Sequence, residues 1–325
     1  MPPATIPPRR TSMAPGRRDP PPPPPFLHPV PPLDLALLHD LPSLELKARF
    51  IMDGFLTGLH RSPKKGFSVE FAEYRSYQLG DDLRRVDWRL FARTDRLQVK
   101  QFEQETQLRV YLVLDTSASM AYASRPEAWL RKSDYARTVL ASIGLLALRQ
   151  GDAFGLGIIG ANLDQFLRAK SSQAHWRSAL AVLDGVKTGG PTGLSRGLMT
   201  LAEALPRRSL VIIASDFYEE DPALDEALRR LRFDHHEIVG LQTLDPFELD
   251  LEDSAHGTFI DSETGQKLVL DVEAVREGYL TKVRDFLART QASFLDQSGS
   301  YALLRTDASP VTALGTYLAR REGIF

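Results

Sequence analysis

Asp115, Ser117 and Ser119 fall at every second position where the apolar run Val110–Leu114 ends, within the stretch RVYLVLDTSASM of Arg109–Met120. A carboxylate and two hydroxyls are hard oxygen donors of the kind a magnesium-sized cation prefers. A second apolar run, Leu210–Ala214, ends on Ser215-Asp216, and between the two a glycine-rich stretch, Lys187–Gly193, presents Thr192. Asp115, Ser117, Ser119, Thr192 and Asp216 supply five oxygen side chains, one short of the octahedron that magnesium demands. Two carboxylates only neutralise a divalent cation, so such a site keeps affinity for one more anionic oxygen, from water or from a partner's Asp or Glu. Any one of these residues alone reads equally well as a helix cap or a turn residue; together they imply a site.

Such donors meet only if strands and helices bring them to one edge. The periodicities predict a helix between Leu33 and His60, a strand over Phe67–Tyr77 and another over Leu97–Phe102. The Asp115 strand comes next, and then a helix over Lys132–Arg149 with Ser133 as its N-cap. Strands follow at Phe154–Ile159 and Leu163–Leu167, helices at Ala174–Leu183 and Leu194–Leu205, the strand Leu210–Ala214, a helix at Pro222–Leu231 and a strand at His236–Leu241. A hairpin over Gly257–Val272 is expected next, then a helix near Ala274–Asp296, a strand at Tyr301–Leu304 and a helix at Val311–Arg321. Strands alternating with helices imply an α/β class, a doubly wound, mostly parallel sheet buried on both faces. In such sheets, sites lie at the carboxyl ends of the strands.

Four segments are expected along the chain. Residues 1–32 hold 14 of the 22 prolines, including Pro20–Pro25, and read as a disordered tail. Its Arg9-Arg10 and Arg17-Arg18 pairs lack the apolar stretch that a twin-arginine export signal needs next. Residues 33–107 form a flanking helical and β-rich segment, 108–245 the doubly wound domain, and 246–325 a hairpin and helices that pack on it. The flanking parts together make a smaller mixed α+β unit.

The totals narrow the function classes. A net charge of -2 gives no field that would draw the chain to nucleic acid or anionic membrane. The absence of cysteine excludes disulfides, thiolate metal sites and cysteine nucleophiles. No apolar run approaches the roughly 18–20 residues of a membrane-spanning helix. There is no Walker loop, no G-x-G-x-x-G and no H-E-x-x-H. His235 and His236 are adjacent, so in a strand they face opposite sides and cannot chelate together.

Two resemblances extend this reading. D-T-S-A-S at Asp115–Ser119, Thr192 in its glycine loop and Asp216 after a strand are similar to the metal-ion-dependent adhesion site of von Willebrand factor A domains. The resemblance implies direct coordination by Ser117, Ser119 and Thr192, with Asp115 and Asp216 often acting through water. The stretch Glu73–Met120 is more specific. Its Tyr77, Gly80-Asp81-Asp82, Arg84, Asp87-Trp88, Ala92-Arg93, Val99-Lys100 and Phe102-Glu103 resemble the signature of the domain-of-unknown-function 58 (DUF58) family. Those proteins resemble von Willebrand A domains and are often associated with MoxR-type AAA+ ATPases. Leu79 stands where proline is common, and the membrane helices of many relatives are absent, which favours a cytoplasmic form. Without the resemblance, Gly80–Trp88 reads as an ion-pair and hydrogen-bond network that fixes a loop.

The expected function is a non-enzymatic, magnesium-dependent protein-interaction module, with manganese or calcium as substitute ions. Its partner would be a MoxR-type ATPase or a client offering an Asp or Glu carboxylate, in protein-complex maturation or remodelling. The alternative is a hydrolase using Ser195 or a metal-activated water, because Gly193-Leu194-Ser195-Arg196-Gly197 matches the nucleophile-elbow pattern. An elbow needs a strand directly before its serine, however, and Lys187–Thr192 reads as loop. An aspartyl-phosphate chemistry would need a second aspartate where Ser117 stands.

Overall fold

The computed structural model describes residues 33–60, 73–76, 91, 93, 96, 98–101, 108–219, 223–251, 256–260 and 267–324. In chain order these form α1 (Leu35–Asp40), α2 (Leu44–His60), β1 (Glu73–Ser76), β2 (Gln98–Gln101) and β3 (Arg109–Asp115). A short 3-10 turn (Ala118–Ala121) leads to α3 (Lys132–Arg149), β4 (Ala153–Ile159), β5 (Leu163–Lys170), α4 (Gln173–Gly185) and α5 (Leu194–Ala204). The chain continues through β6 (Leu210–Ser215), α6 (Ala223–Phe233), β7 (Glu237–Leu244), α7 (Pro246–Asp250), β8 (His256–Ile260) and β9 (Lys267–Asp271). It closes with α8 (Val272–Asp296), β10 (Ser300–Arg305) and α9 (Val311–Ile324).

Six strands make one sheet in the order β10-β7-β6-β3-β4-β5. All neighbours are parallel except β5, which runs antiparallel to β4 at the edge. The expected doubly wound, mostly parallel α/β class is therefore the one observed. A strand covered on both faces must be apolar at odd and even positions alike, and β3 meets this condition: Val110, Leu112 and Leu114 pack in one core with α2, α3, α4 and α9. Tyr111 and Val113 pack in the other with α5, α6 and α8.

The strand order reverses between β3 and β6. The helices α3 and α4, which follow β3 and β5, cover one face, whereas α5 and α6 cover the other. Connections that leave neighbouring strands toward opposite faces open a crevice at the carboxyl edge between them. Asp115 ends β3, Asp216 follows β6, and the two strands are hydrogen-bonded neighbours.

Two local expectations are corrected. The helix expected between Leu33 and His60 is two helices broken at Leu41–Ser43. Pro42 pushes the residue before it out of the α region, and Leu41 is extended with ψ 129. The second helix then starts with Ser43 Oγ accepting the Leu46 N–H at 3.2 Å. Ser133 does not cap α3 either. Arg131 holds the N-cap position without a side-chain bond, and Ser133 lies buried inside the first turn. The N–H of Lys132 is instead taken by the Tyr122 carbonyl at 3.1 Å.

β1 pairs antiparallel with β2, and β8 with β9. The core of the large sheet includes residues from both ends of the described chain, such as Ile51 of α2 and Leu314 and Tyr317 of α9. The Pro-rich segment, the Gly80–Trp88 cluster and the first half of the Phe67–Tyr77 strand lie outside the described residues. Among the described residues no helix is long and apolar enough to cross a membrane.

Candidate metal centre

Asp115 is the last residue of β3 and is 1% exposed. Its Oδ1 accepts the Ser117 N–H at 2.9 Å, and its Oδ2 accepts the Ser215 hydroxyl at 2.5 Å. Thr116 ties the turn to the end of β4 by giving both its N–H and its hydroxyl to the Ile159 carbonyl, at 2.8 and 3.0 Å. Ser117 Oγ and Ser119 Oγ then lie 3.1 Å apart. The strand thus ends on Asp115, and the turn that follows, with Ser117 at the N-cap of the 3-10 segment Ala118–Ala121, brings in the two hydroxyls that the sequence pattern marks.

The glycine loop is fastened to this turn through its backbone. The Gly189 N–H donates to the Thr116 carbonyl at 2.9 Å, and the Ala118 N–H donates to the Gly190 carbonyl at 3.1 Å. Half-buried Thr192 lies two residues further on. Gly193 closes the loop where a Cβ would fall 2.2 Å from the Ala161 carbonyl oxygen, so no other residue fits without moving backbone.

Asp216 directly follows β6 and is likewise 1% exposed. Its Oδ1 accepts the Tyr218 N–H at 3.2 Å, and its carbonyl accepts Gln242 Nε2 at 2.9 Å. Its Oδ2 accepts Lys132 Nζ at 2.8 Å. Lys132, the first residue of α3, has no exposed surface and also reaches Glu248 Oε1 at 2.6 Å. Burial alone would lower the lysine pKa, but Asp216 and Glu248 more than offset it and hold the pKa above its ordinary value. Glu248 is fixed in turn by the capping box of α7, where its Oε2 accepts the Asp245 N–H at 2.9 Å.

Lys132, Ser215 and Glu248 are therefore part of the centre although the motif does not mark them. Asp245-Pro246-Phe247-Glu248 carries the spacing of a capping box, a signal that could have found Glu248. Nothing local marks Lys132. The donor set suits a divalent cation in type, since every donor the motif marks is a hard oxygen, while the Lys132 ammonium already occupies one oxygen of Asp216.

The electrostatics point the same way. Burial, and then the neighbouring Asp216 charge, push the Asp115 carboxyl up to about 6 against the hydrogen bonds that favour its anion. The folded chain thus keeps this proton over a window in which the unfolded chain has released it. Between about pH 4 and pH 6.5 Asp115 alone should take on the order of 3 kcal/mol from the stability of the cation-free protein as pH rises, and the Glu248 carboxyl, raised by its burial, adds a slope of the same sign. Urea melts across this range should show the slope, and Asp115→Asn should reduce it; an unchanged slope in the variant would assign it elsewhere.

Ser195 sits in a different setting from a nucleophile elbow. It lies in the first turn of α5, whose N-cap is Gly193, with loop rather than strand before it. Its N–H donates to Glu219 Oε2 at 2.9 Å, and its hydroxyl makes a short bond to the same oxygen. A carboxylate taking orphan donors at a helix start is a capping arrangement. His236 is at the opposite edge of the sheet, where its Nδ1 accepts the Ser209 N–H at 3.2 Å.

A family model described as "Protein of unknown function DUF58" matches residues 73–289, more than half of the chain. The chain belongs to the DUF58 family. Rv1480, an uncharacterized protein of Mycobacterium tuberculosis, is 28% identical to it over 296 residues, covering 89% of this chain and 91% of that protein. Mb1516 of Mycobacterium bovis, also uncharacterized, matches with the same identity and coverage. Among solved structures, the DUF58 chain is similar to BatB from Bacteroides thetaiotaomicron, at 15% identity and a TM-score of 0.42, over 66% of this chain and 99% of that one. It is also similar to the VWA domain of SpRpn10, at 12% identity and a TM-score of 0.37, over 64% and 94% of the two chains.

Proposed function

We propose that this DUF58 chain is a protein-interaction module that binds its partner through a magnesium ion held by Asp115, Ser117, Ser119, Thr192 and Asp216. The observation that carries the reading is the meeting of two buried carboxylates, two facing serine hydroxyls and the glycine loop at one crevice between β3 and β6. A bound magnesium ion would supply a Lewis-acidic point for one more anionic oxygen. The chain's own part is to hold the donors still. Ser215 and the Ser117 N–H orient Asp115, the Ile159 carbonyl anchors the turn, and Gln242 and the Tyr218 N–H orient Asp216.

A partner's Asp or Glu carboxylate would complete the coordination shell, a contact stronger than an exposed ion pair because water is excluded from it. The partner we propose is a MoxR-type AAA+ ATPase, or a client it remodels, met in the cytoplasm and without catalysis by this chain. Family membership supports that choice of partner.

Calorimetric titration of magnesium into the wild type and Asp115→Ala tests the site. Affinity should fall by about tenfold or more in the variant, at least about 1.4 kcal/mol, and equal affinities would reject it. A pull-down of the ATPase should fail after chelation; retention of the ATPase without magnesium would remove the ion from the interface.

A further inference from the structure

Lys132 is out of place for a helix-start lysine. Its side chain has no exposed surface, and it lies between carboxylates 84 and 116 residues away in sequence. The ring of Tyr218 covers it, with Nζ 5.1 Å from the ring centroid. The Tyr279 hydroxyl, which donates to the Glu248 carbonyl at 2.6 Å, and Arg276, which donates to the Asp250 carbonyl at 2.9 Å, hold α7 against α8 on the far side. The ammonium is thus built into the centre rather than resting on its surface.

The charges are informative. Asp115, Asp216 and Glu248 bring three negative charges and Lys132 one positive, so with all four ionised the cluster carries a charge of -2. That is the charge one divalent ion neutralises. Lys132 nevertheless contacts an oxygen of Asp216, one of the two carboxylates assigned to the ion. An ammonium and a divalent cation placed against the same carboxylate repel each other, and burial leaves little water to screen them.

We infer that Lys132 is the resident counter-cation of this centre: it holds Asp216 in competition with a divalent ion and thereby sets how tightly the centre takes one. Glu248 is the second half of the device. It shares the ammonium with Asp216, so the strength of the Lys132–Asp216 contact depends on where α7 places its carboxylate. The inference rests on the reading that Asp115 and Asp216 flank a cation site.

The test uses the paired variant Lys132→Met/Glu248→Gln. It removes one charge of each sign, keeps the net charge of the cluster, and keeps an amide oxygen at the third position of the α7 capping box. Calorimetric titration with magnesium chloride should give about tenfold tighter binding than wild type, equivalent to about 1.4 kcal/mol. If the paired variant binds and the wild type does not, the lysine is the native occupant; the inference stands and the magnesium-dependent function falls. If both bind alike, or the variant binds more weakly, the inference falls and the function stands. If neither binds, both fall. Should the variant fail to fold, the Lys132 ammonium is followed by NMR in 15N-lysine wild-type protein titrated with magnesium. Its resonance must shift as the ion binds; a bound ion that leaves it unmoved overturns the inference.

Discussion

Lys132→Met on its own should cost the fold about 3–5 kcal/mol, because it leaves two buried carboxylates without their cation. The side chain of Asp216 is 2% exposed, so water cannot take over the lysine's role there, and that of Glu248, at 16%, is reached by water only in part. Replacing both members of a buried pair can be nearly neutral, whereas removing one leaves the desolvated charge of the other. The fall should therefore be read as a lower urea midpoint at an unchanged slope. Adding Glu248→Gln should return part of it, since one of the two stranded charges goes. A loss below about 1 kcal/mol would mean that the ammonium contributes no more than an exposed ion pair.

Phe294→Ala is the second large effect, again about 3–5 kcal/mol. Its ring has no exposed surface and fills the space above Gly240 in the middle of β7, where a Cβ would fall 2.5 Å from it. It meets Phe217 edge-on, with centroids 5.3 Å apart and planes at 68°. Phe217 has a left-handed backbone, φ 58, a conformation that costs a bulky residue free energy and persists only where packing enforces it. Truncating Phe294 opens a cavity and removes that enforcement next to Asp216. Chemical denaturation measures the first effect, and magnesium affinity should fall with the second. A loss under about 1 kcal/mol would show that the neighbours collapse into the space.

The parts of this centre that could be read from the sequence are those fixed by local pattern. Apolar runs that stop on an aspartate, a hydroxyl at every second position and glycines before Thr192 are statements about a few consecutive residues. The fold class followed from the alternation of such runs with helical spacing. The helix break at Leu41–Ser43 escapes the periodicity, which runs on across it, although its cause, Pro42, stands in the sequence. Ser133 misled because a hydroxyl near a helix start has the right chemistry for a cap but sits two positions too late. Lys132 was illegible for a different reason. A lysine at the start of a helix is ordinarily solvated, and only the meeting of β6 and α7 around it makes it a buried charge. Long-range contacts of this kind leave no periodic trace.

The Ser215 hydroxyl lies between two partners of fixed polarity. The Phe217 amide at 2.8 Å can only donate to it, and the Asp115 carboxylate at 2.5 Å, when ionised, can only accept from it. Its single proton therefore has one place to go, and the hydroxyl cannot rotate to serve as a donor elsewhere. Amide, hydroxyl and carboxylate form a one-way chain in which each bond polarises the next. Through it, any charge gained or lost at Asp115 is felt at the peptide group that joins Asp216 to Phe217. The two aspartates are thus wired together by a proton direction as well as by proximity.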